Sequence, residues 1–301
     1  MKKRLADFTA AAVLAAALAG CAAMGDAVAS VGVATGTLST QQGESIRQTA
    51  QAVEKSFQDI TPEQEYYIGR TVGAVIVSQY RPYPEPRVNE YLNVLGRTLS
   101  LFSDRPETFG GYHFLALDTG EINAFAAPGG DIYVSRGLLR CAASEDEVAA
   151  ILAHEIGHVV GKHGLQAIKK SRLTTALTSA ALTAGSLAAP EETAKLSQAF
   201  GDSIKDITST LINNGYSREL EAQADQLAVG ILGRAGYDPA ALVRVLETMS
   251  GRVTSGGPGF GKIHPDPRDR IQAVQPELPS ARPAPAPPER QRRYEAALSA
   301  T

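Results

Sequence analysis

His154, Glu155 and His158 form the pattern His-Glu-x-x-His within residues 149–164, Ala-Ala-Ile-Leu-Ala-His-Glu-Ile-Gly-His-Val-Val-Gly-Lys-His-Gly. Histidines four apart lie one turn apart on the same face of a helix, so both imidazoles can reach one metal ion while Glu155 stands at its edge. Such a pair suits zinc, and a carboxylate beside the ion is placed to take a proton from an attacking water. Catalytic zinc has three protein ligands and one open position, so a third must come from elsewhere. The stretch 216–229, Tyr-Ser-Arg-Glu-Leu-Glu-Ala-Gln-Ala-Asp-Gln-Leu-Ala-Val, supplies the candidate. On a helix starting at Ser217, Glu221 would be that ligand. Asp225, one turn on, would accept the free ring N–H of a ligand histidine and hold its tautomer.

The elements that must carry these residues are also signalled. Val148, Ile151, Leu152, Ile156, Val159 and Val160 recur at helical spacing, and Ser144 with Glu147 reads as a capping box upstream. His163, five residues beyond His158, would face away from the metal and serve as a charge partner at the helix C-terminus. Thr61-Pro62-Glu63-Gln64 predicts a helix running to about Gln79 with Thr61 as its cap, stopped by Pro82, Pro84 and Pro86. A second helix is expected from Arg87 to Ser100. Strands are expected over Tyr112–Leu117, Ile122–Ala127 and Asp131–Val134, the last two flanking a Pro128-Gly129-Gly130 turn. An exposed strand edge there could hold an extended peptide by backbone pairing. His113 has no ligand partner at spacing and reads as structural. Asp238 should cap a helix from Pro239 to about Ser250, and Gly251–Gly261 is a Gly-rich connection.

With 301 residues and 44% hydrophobic content there is material for one sizeable core, and a net charge of −3 without a basic patch in the body gives no signal for a nucleic-acid partner. Lys2-Lys3-Arg4, an apolar run over Phe8–Ala19 and Leu18-Ala19-Gly20-Cys21 read as a bacterial lipoprotein signal, residues 1–20, cut before a lipidated Cys21. Ala22 after the cysteine fits outer-membrane sorting. Cys141 is then the remaining thiol, expected as a small buried hydrophobe. Residues 21–60 read as a tether with one loosely docked helix over Ile46–Phe57. Residues 173–213, rich in Ala, Leu, Ser and Thr, read as a mobile helical lid broken near 185–190. Residues 276–301 form a Pro-rich tail with a short exposed helix over Arg290–Ala300.

Four ordered motifs resemble the HtpX and CAAX-prenyl-protease family of gluzincin metallopeptidases. They are His-Glu-Ile-Gly-His at 154–158, Ser-Arg-x-x-Glu-x-x-x-Asp at 217–225, His264-Pro265 followed by Arg270-Ile271, and Asn123-Ala124-Phe125-Ala126-x-Pro128-Gly129-Gly130-x-Ile132. The resemblance spans about Thr61–Val274 and is nearest to periplasmic, outer-membrane-associated proteases of the BepA and LoiP type. Lacking room for a tetratricopeptide domain after the protease, the chain is similar to the shorter LoiP-like kind. The resemblance implies that Asn123, Ala124 and Phe125 run along the active-site cleft as a substrate-binding edge. It also implies that His264 can swing onto the zinc as a fourth ligand and hold the enzyme inactive; a loop anchor and an oxyanion donor are the other roles open to it. Arg218 and Arg270 are further candidates for the oxyanion donor or for bracing the site, with structural ion pairing the favoured role for both.

Together these readings predict a mostly helical α+β zincin domain over 61–275, with a small β-sheet and an active-site helix, binding one zinc ion. The expected function is a zinc endopeptidase on the periplasmic face of the outer membrane, anchored through Cys21 and acting on misfolded or unassembled envelope proteins. A chaperone or assembly factor that uses the same cleft without obligatory cutting, in contact with the outer-membrane assembly machinery, is the alternative.

Overall fold

Thr61 opens the first helix of the computed structural model, α1 (Pro62–Gln79): its Oγ1 accepts from the Gln64 N–H at 3.2 Å, and Gln64 Oε1 accepts from the Thr61 N–H at 2.9 Å. The structure describes residues 60–166, 201–202, 204–253, 260–279 and 285–299, with isolated positions between 30 and 40. The lipobox at Cys21, the helix over 46–57 and most of the lid over 173–213 lie outside the described residues. Among those described, no helix is long and apolar enough to cross a membrane.

Helix α2 (Pro86–Ser100) starts on a proline and buries Val88, Leu92, Leu95 and Leu99, spaced for one helical face. The strands follow as β1 (His113–Leu117), β2 (Ala124–Ala126) and β3 (Asp131–Ser135), in the order β1-β3-β2, with β1 parallel and β2 antiparallel to β3. A short α3 (Arg136–Leu139) leads into α4 (Glu145–Val160), the helix with the His-Glu-x-x-His pattern, and α5 (His163–Gln166) follows it. A π-turn at Thr210–Asn214 precedes α6 (Arg218–Arg234), α7 (Ala241–Ser250), α8 (Phe260–Ile263), α9 (Pro267–Val274) and α10 (Pro288–Leu298). The protein is mostly helical with one small sheet, as predicted.

Every residue of α4 from Glu145 to Val159 is buried, which is what a helix apolar on nearly all sides requires. One face of the sheet, α2, α6 and α7 enclose it in the larger core; α1, Phe125, Tyr133, Ile207 and Ile263 form a second cluster across the sheet. Helix α6 crosses α4 at Gly157, where a Cβ would stand 2.8 Å from Ala224 O. This close crossing brings Glu221 and Asp225 level with the histidines. Cys141 is buried as expected, and burial pushes its thiol pKa up, so it stays protonated and inert.

Three carboxylates in the first turn of α4, Glu145, Asp146 and Glu147, sit where the helix dipole favours negative charge, yet all are buried. Their partners correct two expectations. Glu147 closes on the Ala143 N–H at 2.8 Å and not on Ser144, so the cap at Ser144 is half of the expected box. The expected exposed helix in the C-terminal tail is α10, docked on the protein body. Arg293 reaches Glu145 (Nε to Oε2 3.0 Å), Arg290 reaches Asp146 (3.0 Å) while lying 3.9 Å over the Tyr237 ring, and Leu298 is buried. Buried carboxylates need charge partners, and these arginines meet that need. Arg293→Ala leaves the Glu145 carboxylate with the Tyr237 hydroxyl, and a loss of about 1–3 kcal/mol in denaturant unfolding is expected. Unchanged stability would mean that water replaces the arginine without cost.

Candidate metal centre

Helix α4 places His154 and His158 one turn apart, with their Nε2 atoms 3.1 Å from each other. Glu221, in the first turn of α6, sets its carboxylate oxygens 3.6 Å from His154 Nε2 and 3.5 Å from His158 Nε2. His264, just after α8, brings Nδ1 to 2.9 Å from Glu221 Oε2. These four buried residues each offer a ligand atom within 4.8 Å of the others.

The donor set fits a metal ion. His154 Nδ1 is 2.8 Å from Asp225 Oδ1, so its proton belongs there and Nε2 presents a lone pair inward. Glu221 Oε1 and His264 Nε2 are buried with no hydrogen-bond partner among the described residues, a costly state that a cation relieves. Ligands at about 2.0–2.1 Å in a tetrahedral array stand about 3.3 Å from one another, close to the spacings among His154, His158 and Glu221. Two imidazoles and a carboxylate are zinc ligands by type.

Electrostatics agree with that use. Burial lowers the pKa of His154, with Arg270 adding to it, and burial lowers that of His158 still further; both rings are neutral donors. Burial pushes Glu221 up, but His264, His154 and Arg270 outweigh it and hold the carboxyl below its usual range. Asp225 is likewise raised by burial and then drawn well below the carboxylate range by Arg270 and His154. Glu155 behaves differently: burial, then the Glu221 charge, raises it to about 8, the condition of a carboxyl suited to exchanging protons near neutrality.

Of the two arginines expected near the site, one is there. Arg270 donates from Nε and Nη2 to both oxygens of Asp225, at 3.0 and 2.6 Å, and is 5% exposed. Arg218 does not brace the site but makes the structural ion pair favoured for it: its side chain is 78% exposed and pairs with Asp269 at 3.5 Å on the surface, where a hydrated guanidinium costs nothing to keep.

The strand edge is present but covered, where an exposed one was expected. β2 is an edge strand, but Ala124 and Phe125 are buried, and the narrow cleft beside Glu155 is closed over by Leu211, Tyr216, Ile263 and His264. The cover locks at Gly215, with φ 72°, where a Cβ would fall 1.9 Å from Ile263 O; only glycine fits that approach. Asn123, at the start of the edge, has a buried Oδ1 without a hydrogen-bond partner among the described residues.

Three residues near the centre escaped the sequence reading of the site. Tyr216 stacks on His158 with ring centroids 4.5 Å apart and 21° between planes. His163, expected to face away, is fully buried with Nδ1 2.8 Å from His158 Nδ1, and Gln223 meets its other nitrogen. Extending the helix to His163 rotates it about 140° from His158. α4 instead stops at Val160, and Lys162 adopts φ 52°, turning the chain back. The Gly161 and Gly164 flanking that step were the available signal.

The family model described as Peptidase family M48 matches residues 86–278. The chain is 27% identical over 209 residues to the "Beta-barrel assembly-enhancing protease" of Escherichia coli (strain K12), covering 69% of this chain and 41% of that protein. It is 32% identical over 223 residues to the "Putative beta-barrel assembly-enhancing protease" of Vibrio cholerae, covering 70% and 43%. To the "Metalloprotease YcaL" of Escherichia coli it is 27% identical over 164 residues, covering 54% and 61%. The chain thus spans about two fifths of the length of the first two relatives.

Proposed function

The chain belongs to peptidase family M48, a family of metalloproteases, and from that premise we propose that it is a zinc endopeptidase of the bacterial envelope, acting on misfolded or unassembled periplasmic and outer-membrane proteins. The convergence of His154, His158 and Glu221, with Glu155 at the same centre, carries this reading. When bound, zinc acts as a Lewis acid on the scissile carbonyl and makes water a better nucleophile. Glu155 takes the proton from the attacking water as its oxygen bonds to the carbonyl carbon. The same carboxyl then gives a proton to the leaving nitrogen as the C–N bond breaks. An extended substrate would pair with the backbone of β2 at Ala124 and Phe125 and meet Asn123 Oδ1, giving affinity with little sequence preference.

His264 restrains this enzyme in our reading. It sits on Glu221, completes a four-residue donor set and shares the cover over β2, so substrate entry requires it to leave. Membrane attachment would come from lipidated Cys21, and outer-membrane assembly components would be partners.

Casein hydrolysis by the purified, zinc-loaded protein tests both points, with Glu155→Gln as the blank. His264→Ala is expected to be several-fold faster than wild type. A slower His264→Ala would overturn the restraint and favour the oxyanion role, whereas rates at the blank level in both would overturn the protease reading. "Assembly-enhancing" in the relatives' names favours a second reading, in which the cleft binds unassembled outer-membrane proteins without cutting. Full complementation of a deletion strain by Glu155→Gln would support it.

A further inference from the structure

The two histidines of the centre are oriented by unlike partners. His154 has a carboxylate, Asp225, on its outer nitrogen; His158 has a second imidazole. A short hydrogen bond between two ring nitrogens needs one N–H and one lone pair, so the arrangement has a polarity. Its outer end is Gln223, whose Oε1 lies 3.0 Å from His163 Nε2. With the amide oxygen in that place the contact is an acceptor, and the matching tautomer of His163 carries its proton on Nε2 and presents a lone pair at Nδ1. That lone pair accepts from His158 Nδ1–H, which leaves His158 Nε2 unprotonated.

The local chain is shaped to keep this contact. A Cβ at Gly161 would stand 2.3 Å from His163 Nε2, so a side chain there would displace the ring. Lys162 adopts φ 52°, a left-handed conformation that side-chain-bearing residues take only at a steric cost. Tyr216 stacks on His158 and meets His163 edge-on at 5.7 Å, confining both rings.

We propose that Gln223 and His163 form a two-step relay that sets the tautomer of His158, so that a lone pair and not an N–H faces the metal position. His163 is a positioning residue: it acts through His158 and is not itself a ligand. The inference rests on the reading of His158 as a ligand, and it concerns metal affinity rather than peptide cleavage.

Gln223 is exposed, so its polarity can be changed without burying a charge. Gln223→Glu keeps an acceptor, whereas Gln223→Lys offers only donors and favours the reversed relay. His163→Gln retains an oxygen for His158 and an amide N–H for Gln223, whereas His163→Leu retains neither. Zinc affinity of the full chain, measured by competition with a chromophoric chelator, is expected to fall about 10–100-fold in Gln223→Lys and His163→Leu. It should fall by less than about tenfold in Gln223→Glu and His163→Gln, short of the loss that follows when an orienting partner is removed. Equal affinity of the Gln223→Glu and Gln223→Lys variants would overturn the relay, because acceptor and donor would then serve alike at its outer end; this comparison stands even if His163→Leu does not fold. If wild type itself takes up no zinc, the ligand assignment fails and the relay with it.

Discussion

Glu155→Gln is expected to keep its zinc and lose about 10²–10⁴-fold in kcat, the range over which a positioned general acid–base acts. The amide has the shape of the carboxyl it replaces, so the fold should survive: Glu155 is 3% exposed, and burial already favours its uncharged form. Gln cannot accept and return a proton, and the remaining rate would come from the metal and from substrate binding. Zinc content and peptide-cleavage kinetics on the same preparation check this. A variant that binds zinc and works within about tenfold of wild type would remove Glu155 from the proton transfers. Attention would then turn to Tyr216, whose buried hydroxyl is without a hydrogen-bond partner among the described residues.

Arg270→Met is expected to have the largest effect on the fold, destabilising it by about 3–5 kcal/mol, because it strands a buried carboxylate. Asp225 is 2% exposed and takes two hydrogen bonds from Arg270 besides its contact with His154. Met fills much of the arginine's apolar volume, so the loss reports the missing charge more than a cavity. Unfolding of the metal-free protein should move down by roughly 6–20 °C for a domain of this size. Adding Asp225→Asn should recover part of the loss, since the charge that needed Arg270 is then gone. If the single variant melts like wild type, water reaches Asp225 and the brace is ordinary surface chemistry. The same pair of variants separates stability from orientation: the double variant should regain stability yet bind zinc less tightly, because the Asp225 carboxylate also holds His154 by its Nδ1 proton.

Local chemistry is what the sequence carried in legible form. His154, Glu155 and His158 are bound together by helical spacing, and Glu221 was reached by counting the ligands a catalytic zinc requires. Caps at Thr61 and Ser217 and the prolines around residue 86 marked helix starts within a residue. The three strands were placed by composition, though Ile122–Ala127 shrank to Ala124–Ala126. Apart from Glu221, which the ligand count required, each of these features depends on residues close to one another in sequence.

What the tertiary structure decided depends on distant segments meeting. Arg218 and Arg270 are indistinguishable as types, but α9 places Arg270 against Asp225 while α6 leaves Arg218 in solvent. The edge of β2 has no local mark of burial; it is covered because Gly215 lets its segment pack on Ile263. Arg290 and Arg293 read as solvated charges until the acidic first turn of α4, far away in sequence, supplies buried partners. His163 turned inward because α4 ended at Val160, short of it. The sequence by itself determined which atoms could bind a metal and move a proton. Only the folded chain decided which neighbours orient those atoms, since desolvation and pairing energies arise where buried surfaces from separate elements close on one another.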